Sequence, residues 1–164
     1  SYVCKYLSNL NYNVIGFKSK NKKKGSKIKT FTEKNLNKFL KLSDIVVSIL
    51  PNTEKTKDFI NKKFLNLMKK NSFLINIGRG NTLNEQDLLL HLNKNKNFHA
   101  SLDVFKKEPL PQDNKFWTHK NVIITPHAAA LTDIDSSIDQ MFKRFKDFKK
   151  TGKIKSDVNL IRGY

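Results

Sequence analysis

Apolar positions along this chain follow two rhythms that take turns: short continuous runs rich in β-branched and aromatic residues, and stripes spaced three and four apart. Val3, Tyr6, Leu7 and Leu10 share one face of an opening helix, and Asn13 to Phe17 then reads as a strand. Lys18 to Gly25 is a solvated basic loop. A short helix follows over Glu33 to Leu42, with Leu36, Phe39 and Leu40 inward, and Asp44 to Leu50 is the clearest buried strand, ended by Pro51-Asn52-Thr53. The alternation continues: a helix over Asn61 to Lys70 on Phe64, Leu65 and Met68, a strand over Ser72 to Ile77, and a helix over Thr82 to Asn93 with Asn84 as its N-cap. Strands over Phe98 to Phe105 and Val122 to Thr125 come next. A long helix from about Thr132 to Lys150 carries Ile134, Ile138, Met141, Phe142, Phe145 and Phe148, with Gly152 as its stop and a polar tail to Tyr164. Alternating strands and helices of this kind predict parallel strands joined by crossover helices, a doubly wound α/β sheet.

Three polar residues fall just beyond predicted strand ends, the edge at which open parallel sheets bind ligands. Arg79 lies between Gly78 and Gly80, which let backbone approach a ligand and suit a guanidinium fork to a planar carboxylate. Glu108 and His127 sit at chain reversals set by Pro109, Pro111 and Pro126. A carboxylate bonded to one ring nitrogen would orient the imidazole and favour its charged form for proton transfer. Taken singly, each residue is more often a turn or structural residue than a functional one.

Composition narrows the field. With 164 residues and 38% hydrophobic content, one core and one domain are expected, and no run reaches the roughly 18 apolar residues of a membrane span. One cysteine excludes an internal disulfide framework and suits a reducing, cytoplasmic setting, and the four histidines form no zinc-ligand spacing, so no metal is expected. The net charge of +18 raises nucleic acid as a partner. Yet all but three of the 32 basic residues are lysines spread along the chain, without arginine forks or interleaved aromatics, so specific nucleic-acid recognition is not expected.

Together three segments form a specific pattern. Asn76-Ile77-Gly78-Arg79-Gly80, the stretch from Leu102 to Pro111, and Ile124-Thr125-Pro126-His127-Ala128-Ala129 resemble, in order and spacing, the signature motifs of the D-isomer-specific 2-hydroxyacid dehydrogenases. Phe116-Trp117, Leu50-Pro51-Asn52-Thr53 and the ending Ile161-Arg162-Gly163-Tyr164 are most similar to the glyoxylate/hydroxypyruvate reductase A branch. The resemblance implies a Rossmann-like fold and reduction of a small 2-oxoacid by a nicotinamide cofactor, with the protein supplying orientation and charge. It implies that Arg79 binds the substrate carboxylate, His127 protonates the developing alkoxide and Glu108 holds His127. Asp103 would lie near the nicotinamide carboxamide, Leu50, Pro51 and Asn52 along the cofactor with Ile77 and Gly78, and Trp117 beside the substrate. A homodimer is likewise implied.

The family's Gly-x-Gly-x-x-Gly turn and its strand are absent, and Ser1 matches the position after the last of those glycines. The expectation is an N-terminally truncated chain, inactive alone: residues 1–130 a partial dinucleotide-binding domain, and 131–164 a helix and tail packing toward a substrate domain outside this sequence. Phe17 is followed by Lys18-Ser19-Lys20, with no acid before Glu33, which predicts a 2′-phosphate at that strand end and therefore NADP over NAD. Two other classes compete: a non-catalytic nucleotide-binding scaffold of the same fold, which would need none of Arg79, Glu108 and His127, and a basic nucleic-acid-binding protein.

Overall fold

A computed structural model of the chain describes residues 2–18, 28–130 and 133–153. Helix α1 (Tyr2–Asn9) leads into a two-stranded parallel sheet of β1 (Gly16–Phe17) and β2 (Thr30–Phe31), with Gly16 opposite Thr30 and Phe17 opposite Phe31. After a single 3-10 turn at Glu33–Asn35 come α2 (Leu36–Leu42), β3 (Ile45–Ser48), α3 (Lys62–Leu67), β4 (Phe73–Asn76), α4 (Glu85–Lys94), β5 (His99–Leu102), β6 (Val122–Ile124) and α5 (Ile134–Thr151). Strands β3 to β6 form one parallel sheet in sequence order, in the register Ile45, Phe73 and His99, with Ala100 opposite Val122. The expected α/β fold with parallel strands is thus present. Because all four strands run parallel, their C-terminal ends lie together along one edge.

One face of that sheet is packed. Val46, Leu74, Ala100 and Leu102 project from alternate strand positions onto Leu40, Phe64, Leu65, Leu88 and Leu92 of the crossover helices, all in one buried cluster. The valine, leucine and phenylalanine side chains among them each contribute about 1.5–3 kcal/mol by leaving water. The small β1–β2 sheet is tied to this core through rings: Phe17 lies 5.3 Å from Phe39 and 5.9 Å from Phe59, and Phe31 lies 5.9 Å from Phe39.

The elements differ from the sequence reading in their limits. Strand β2 was not expected, because Thr30-Phe31 is too short to form a run. Helix α3 is confined to Lys62–Leu67, begun by the Asn61 side chain accepting from the Lys63 and Phe64 amides, and Met68 already has extended backbone. The helix expected from Thr82 begins at Glu85. Gly80–Thr82 is a 3-10 turn, and Leu83 is buried beside Ile60 as a bridge residue outside the helix. Asn84 does cap α4, accepting from the Asp87 amide, and Gly152 ends α5 with φ 63°. The strand expected over Phe98 to Phe105 stops at Leu102, where Asp103 leaves the ladder. None of α5 is buried, and its apolar stripe, Ile134 through Phe148, is 42–69% exposed.

Candidate active site at the strand ends

Beyond the ends of β4, β5 and β6 the chain makes three turns that meet over an open cleft of about 190 Å³, lined by Asn52, Arg79, Gly80, Asn81, Phe105, Lys106, Glu108 and His127. The turn after β4 is tight because of its glycines. A Cβ on Gly78 would lie 2.7 Å from the Leu50 backbone, and one on Gly80 would lie 1.9 Å from the carbonyl carbon and oxygen of Phe105. These close approaches bring the turn after β3 (Leu50-Pro51-Asn52) and the turn after β5 (Phe105 to Glu108) against Arg79 from two sides. The Arg79 Nη1 donates to the Gly78 carbonyl at 2.7 Å, which folds the side chain over its own turn and leaves further donors toward the cleft.

The turn after β6 is shaped by a buried carboxylate. Asp103, 3% exposed, accepts from the Thr125 hydroxyl, from the Ala128 amide at 2.9 Å and from the Ala129 amide at 3.0 Å. Three donors around one acid wrap the chain so that His127 takes a left-handed conformation, φ 52°. Such a conformation is unusual for a residue other than glycine and persists where the surroundings over-determine it. Burial alone pushes the Asp103 carboxyl up. The Thr125, Ala128 and Ala129 donors and the nearby His127 outweigh it, so the net shift is below the ordinary aspartate range.

A stability prediction follows from that sign. A carboxyl depressed in the folded state contributes stability that is complete above its unfolded value, about 3.9, and is lost as pH falls through the lower folded value. Asp103→Asn should lower the unfolding temperature at neutral pH and flatten the acid limb of the stability profile, as read by thermal unfolding from pH 7 down to pH 2. An unchanged acid limb would remove Asp103 as its source.

Glu108 and His127 meet as the sequence suggested. His127 Nδ1 is 2.8 Å from Glu108 Oε2, while Glu108 Oε1 accepts from the Phe105 amide at 2.8 Å. The Phe105 amide, then the His127 ring, hold Glu108 below the ordinary glutamate range, against desolvation and the like charge of Asp103. The carboxylate stays ionised and fixes which ring nitrogen faces it, leaving Nε2 for a ligand. At 48% and 36% side-chain exposure the pair is open to solvent on the cleft side.

The remaining expected residues are placed as follows. Ile77 donates its amide to the Ser48 carbonyl, Pro51 accepts from the Thr56 hydroxyl at 2.6 Å, and Lys18 continues the β1–β2 pairing through its amide to the Phe31 carbonyl. Ser19 and Lys20 lie outside the described residues, as does the ending Ile161 to Tyr164. Trp117 is half exposed, donates its indole N–H to the Pro111 carbonyl at 2.8 Å, and does not line the cleft. Asn81 and Lys106 do line it, unanticipated: Asn81 stands outside the motifs, and Lys106, inside the stretch from Leu102 to Pro111, looks like one more of the chain's many lysines. Among the described residues no group of three His, Cys, Asp or Glu side chains could hold a metal, and no helix is long and apolar enough to cross a membrane.

The chain is similar to known proteins over most of its length. A glyoxylate/hydroxypyruvate reductase A of Photorhabdus laumondii is 39% identical over 132 residues, covering 80% of this chain and 42% of that protein. The crystal structure of an NADPH-dependent glyoxylate/hydroxypyruvate reductase from Sinorhizobium meliloti, in complex with NADP and sulfate, matches 99% of this chain and 53% of its own, with a TM-score of 0.89 at 29% identity. A D-isomer specific 2-hydroxyacid dehydrogenase from Xanthobacter autotrophicus, in complex with NADPH and MES, matches 98% of this chain and 66% of its own, with a TM-score of 0.90 at 28% identity. The chain therefore spans less than half the length of the curated relatives it matches. The profile of the D-isomer specific 2-hydroxyacid dehydrogenase NAD binding domain matches residues 1–129, which takes in all three turns of the cleft, and this chain belongs to that family.

Proposed function

We propose that the chain carries the cofactor-binding part and the proton-transfer site of a reductase acting on a small 2-oxoacid such as glyoxylate or hydroxypyruvate. The observation that carries this reading is the His127–Glu108 contact of 2.8 Å in the same cleft as Arg79. A scaffold that only bound nucleotide would need no oriented imidazole opposite a guanidinium. Arg79 grips the substrate carboxylate and fixes the carbonyl beside it. His127 gives its Nε2 proton to the carbonyl oxygen as negative charge develops there, and the ionised Glu108 holds the ring in place and stabilises its charged form.

The donor set fits a nicotinamide dinucleotide. The ends of the neighbouring parallel strands β3 and β4 present Leu50, Pro51, Asn52, Ile77 and Gly78 along one edge, and the end of β1 offers Lys18 where a ribose-binding acid would otherwise stand. The cofactor, when bound, supplies the hydride. Asp103 acts in this reading by shaping the nicotinamide end of the cleft through the turn it ties. NADP is preferred to NAD, with Lys18, Ser19 and Lys20 near the 2′-phosphate, and relatives crystallised with NADP and NADPH support that choice. Lys18→Asp combined with Lys20→Ala should shift the ratio of NADPH to NADH affinity toward NADH by about tenfold or more, the equivalent of roughly 1.4 kcal/mol. An unchanged ratio by fluorescence titration would assign the phosphate to other residues.

The same reading has α5 packing its exposed apolar stripe toward a substrate domain. It also includes a homodimer, as the family resemblance implies, and a cytoplasmic location, which a single cysteine suits. Turnover of NADPH with glyoxylate or hydroxypyruvate tests it, on the chain as it stands and within any longer polypeptide that carries it.

A further inference from the structure

The turn that carries Glu108 is held from behind by Glu85 and Asp58, which lie outside every motif. Consecutive amides divide the work: the Phe105 N–H donates to Glu108 Oε1, and the Lys106 N–H donates to Glu85 Oε1, both at 2.8 Å. Glu85 lies in the first turn of α4, where the Asn84 side chain already caps the Asp87 amide, and its carboxylate reaches across to a segment 21 residues away. The Lys106 ammonium is gripped at the other end by Asp58, at 2.6 Å. Asp58 in turn donates its own amide to the Asn81 carbonyl, beside Gly80, on which the Phe105 carbonyl rests. The turn from Phe105 to Glu108 is thus pinned to the segment that carries Arg79, through main chain at Glu85 and through side chain at Asp58.

We infer that Glu85 is a positioning residue: by accepting the Lys106 amide it sets the turn from Phe105 to Glu108 so that the Glu108 carboxylate meets His127. The inference rests on the reductase reading for its kinetic arm alone. Charge and reach make different predictions. Glu85→Gln removes the charge and keeps an acceptor oxygen at the same reach. Glu85→Asp keeps the charge in the first turn of α4 and withdraws the oxygen by one methylene. Both substitutions are mild enough to leave α4 formed.

The first readout is the titration of the Glu108 side-chain carboxyl, followed by carbon NMR on the full chain. The charged and titratable groups around Glu108 are His127, Asp103, Arg79 and Lys106, and neither variant alters any of them. Glu85→Asp should move the Glu108 titration up toward the ordinary glutamate range, because the Phe105 amide and the His127 ring no longer meet it squarely. Glu85→Gln should leave it where the unsubstituted chain has it, or slightly lower. The second readout is steady-state kinetics: Glu85→Asp should lower kcat by up to about 10²-fold, as expected for a small misplacement of a catalytic group, with the cofactor KM unchanged, and Glu85→Gln should stay close to the unsubstituted enzyme. A Glu108 titration that Glu85→Asp does not move, or that Glu85→Gln moves as much, overturns the inference. A titration that moves as expected sustains it, and where it does so in a polypeptide that binds NADPH and either oxoacid yet shows no turnover, the reductase reading is overturned instead.

Discussion

Replacing His127 by alanine is expected to reduce kcat for 2-oxoacid reduction by about 10²–10⁴-fold while NADPH binding is retained. The size follows from what the ring does: it is the cleft's one imidazole, it is turned toward Glu108 by a 2.8 Å contact, and its backbone is already committed to a left-handed conformation by the three donors around Asp103. Removing the side chain leaves the Asp103 ties intact, since they run through the Thr125 hydroxyl and the Ala128 and Ala129 amides. The loss should therefore appear in kcat, with the fold and the cofactor affinity preserved. Glu108→Gln tests the partner: an amide still reaches the ring but carries no charge, so a smaller drop is expected. Stopped-flow NADPH oxidation and fluorescence titration of NADPH separate the two effects. Equal loss of binding and turnover in His127→Ala would place the histidine in cofactor binding.

Gly80→Ala is expected to destabilise the fold by about 3 kcal/mol or more, the upper range for forcing an atom into packed surroundings. For a chain of this length that corresponds to a fall of roughly 6–12 °C in unfolding temperature. The added carbon would lie 1.9 Å from the Phe105 carbonyl, and the obstacle is backbone, which cannot step aside as a flexible side chain can. Phe105 is itself buried in the core, so the turn must lift away from Arg79 or the core must open. Either outcome withdraws Glu108 from His127, and activity should fall with stability. Thermal unfolding of the variant beside the unsubstituted chain measures it. A variant of unchanged stability would show that the two turns do not touch as described.

Much of this architecture is visible in the sequence because its signals are local. The runs Ile45 to Leu50 and Phe73 to Ile77 are long and apolar enough to be strands in any parallel sheet, and Asn84 and Gly152 carry the chemistry of caps. The convergence of Glu108 and His127 follows from two turns placed beyond adjacent strand ends. What stayed hidden depends on partners distant in sequence. Asp103 could equally have been a strand terminator or a cofactor neighbour, since its three donors lie 22 to 26 residues downstream. Glu85 and Asp58 look like ordinary surface acids until the fold brings Lys106 to them from 21 and 48 residues away. Strand β2 owes its existence to pairing with β1, and two residues offer no periodicity to read.

The central claim is that Arg79, Glu108 and His127 form the proton-transfer site of a 2-oxoacid reductase. The most direct measurement is NADPH oxidation on addition of glyoxylate or hydroxypyruvate, by this chain and by any longer polypeptide that carries it, each beside its His127→Ala variant. The account predicts turnover in a polypeptide that binds both cofactor and substrate, abolished by the substitution while NADPH stays bound. A polypeptide that binds NADPH and either oxoacid yet never oxidises the cofactor, or one whose turnover survives without His127, would contradict it.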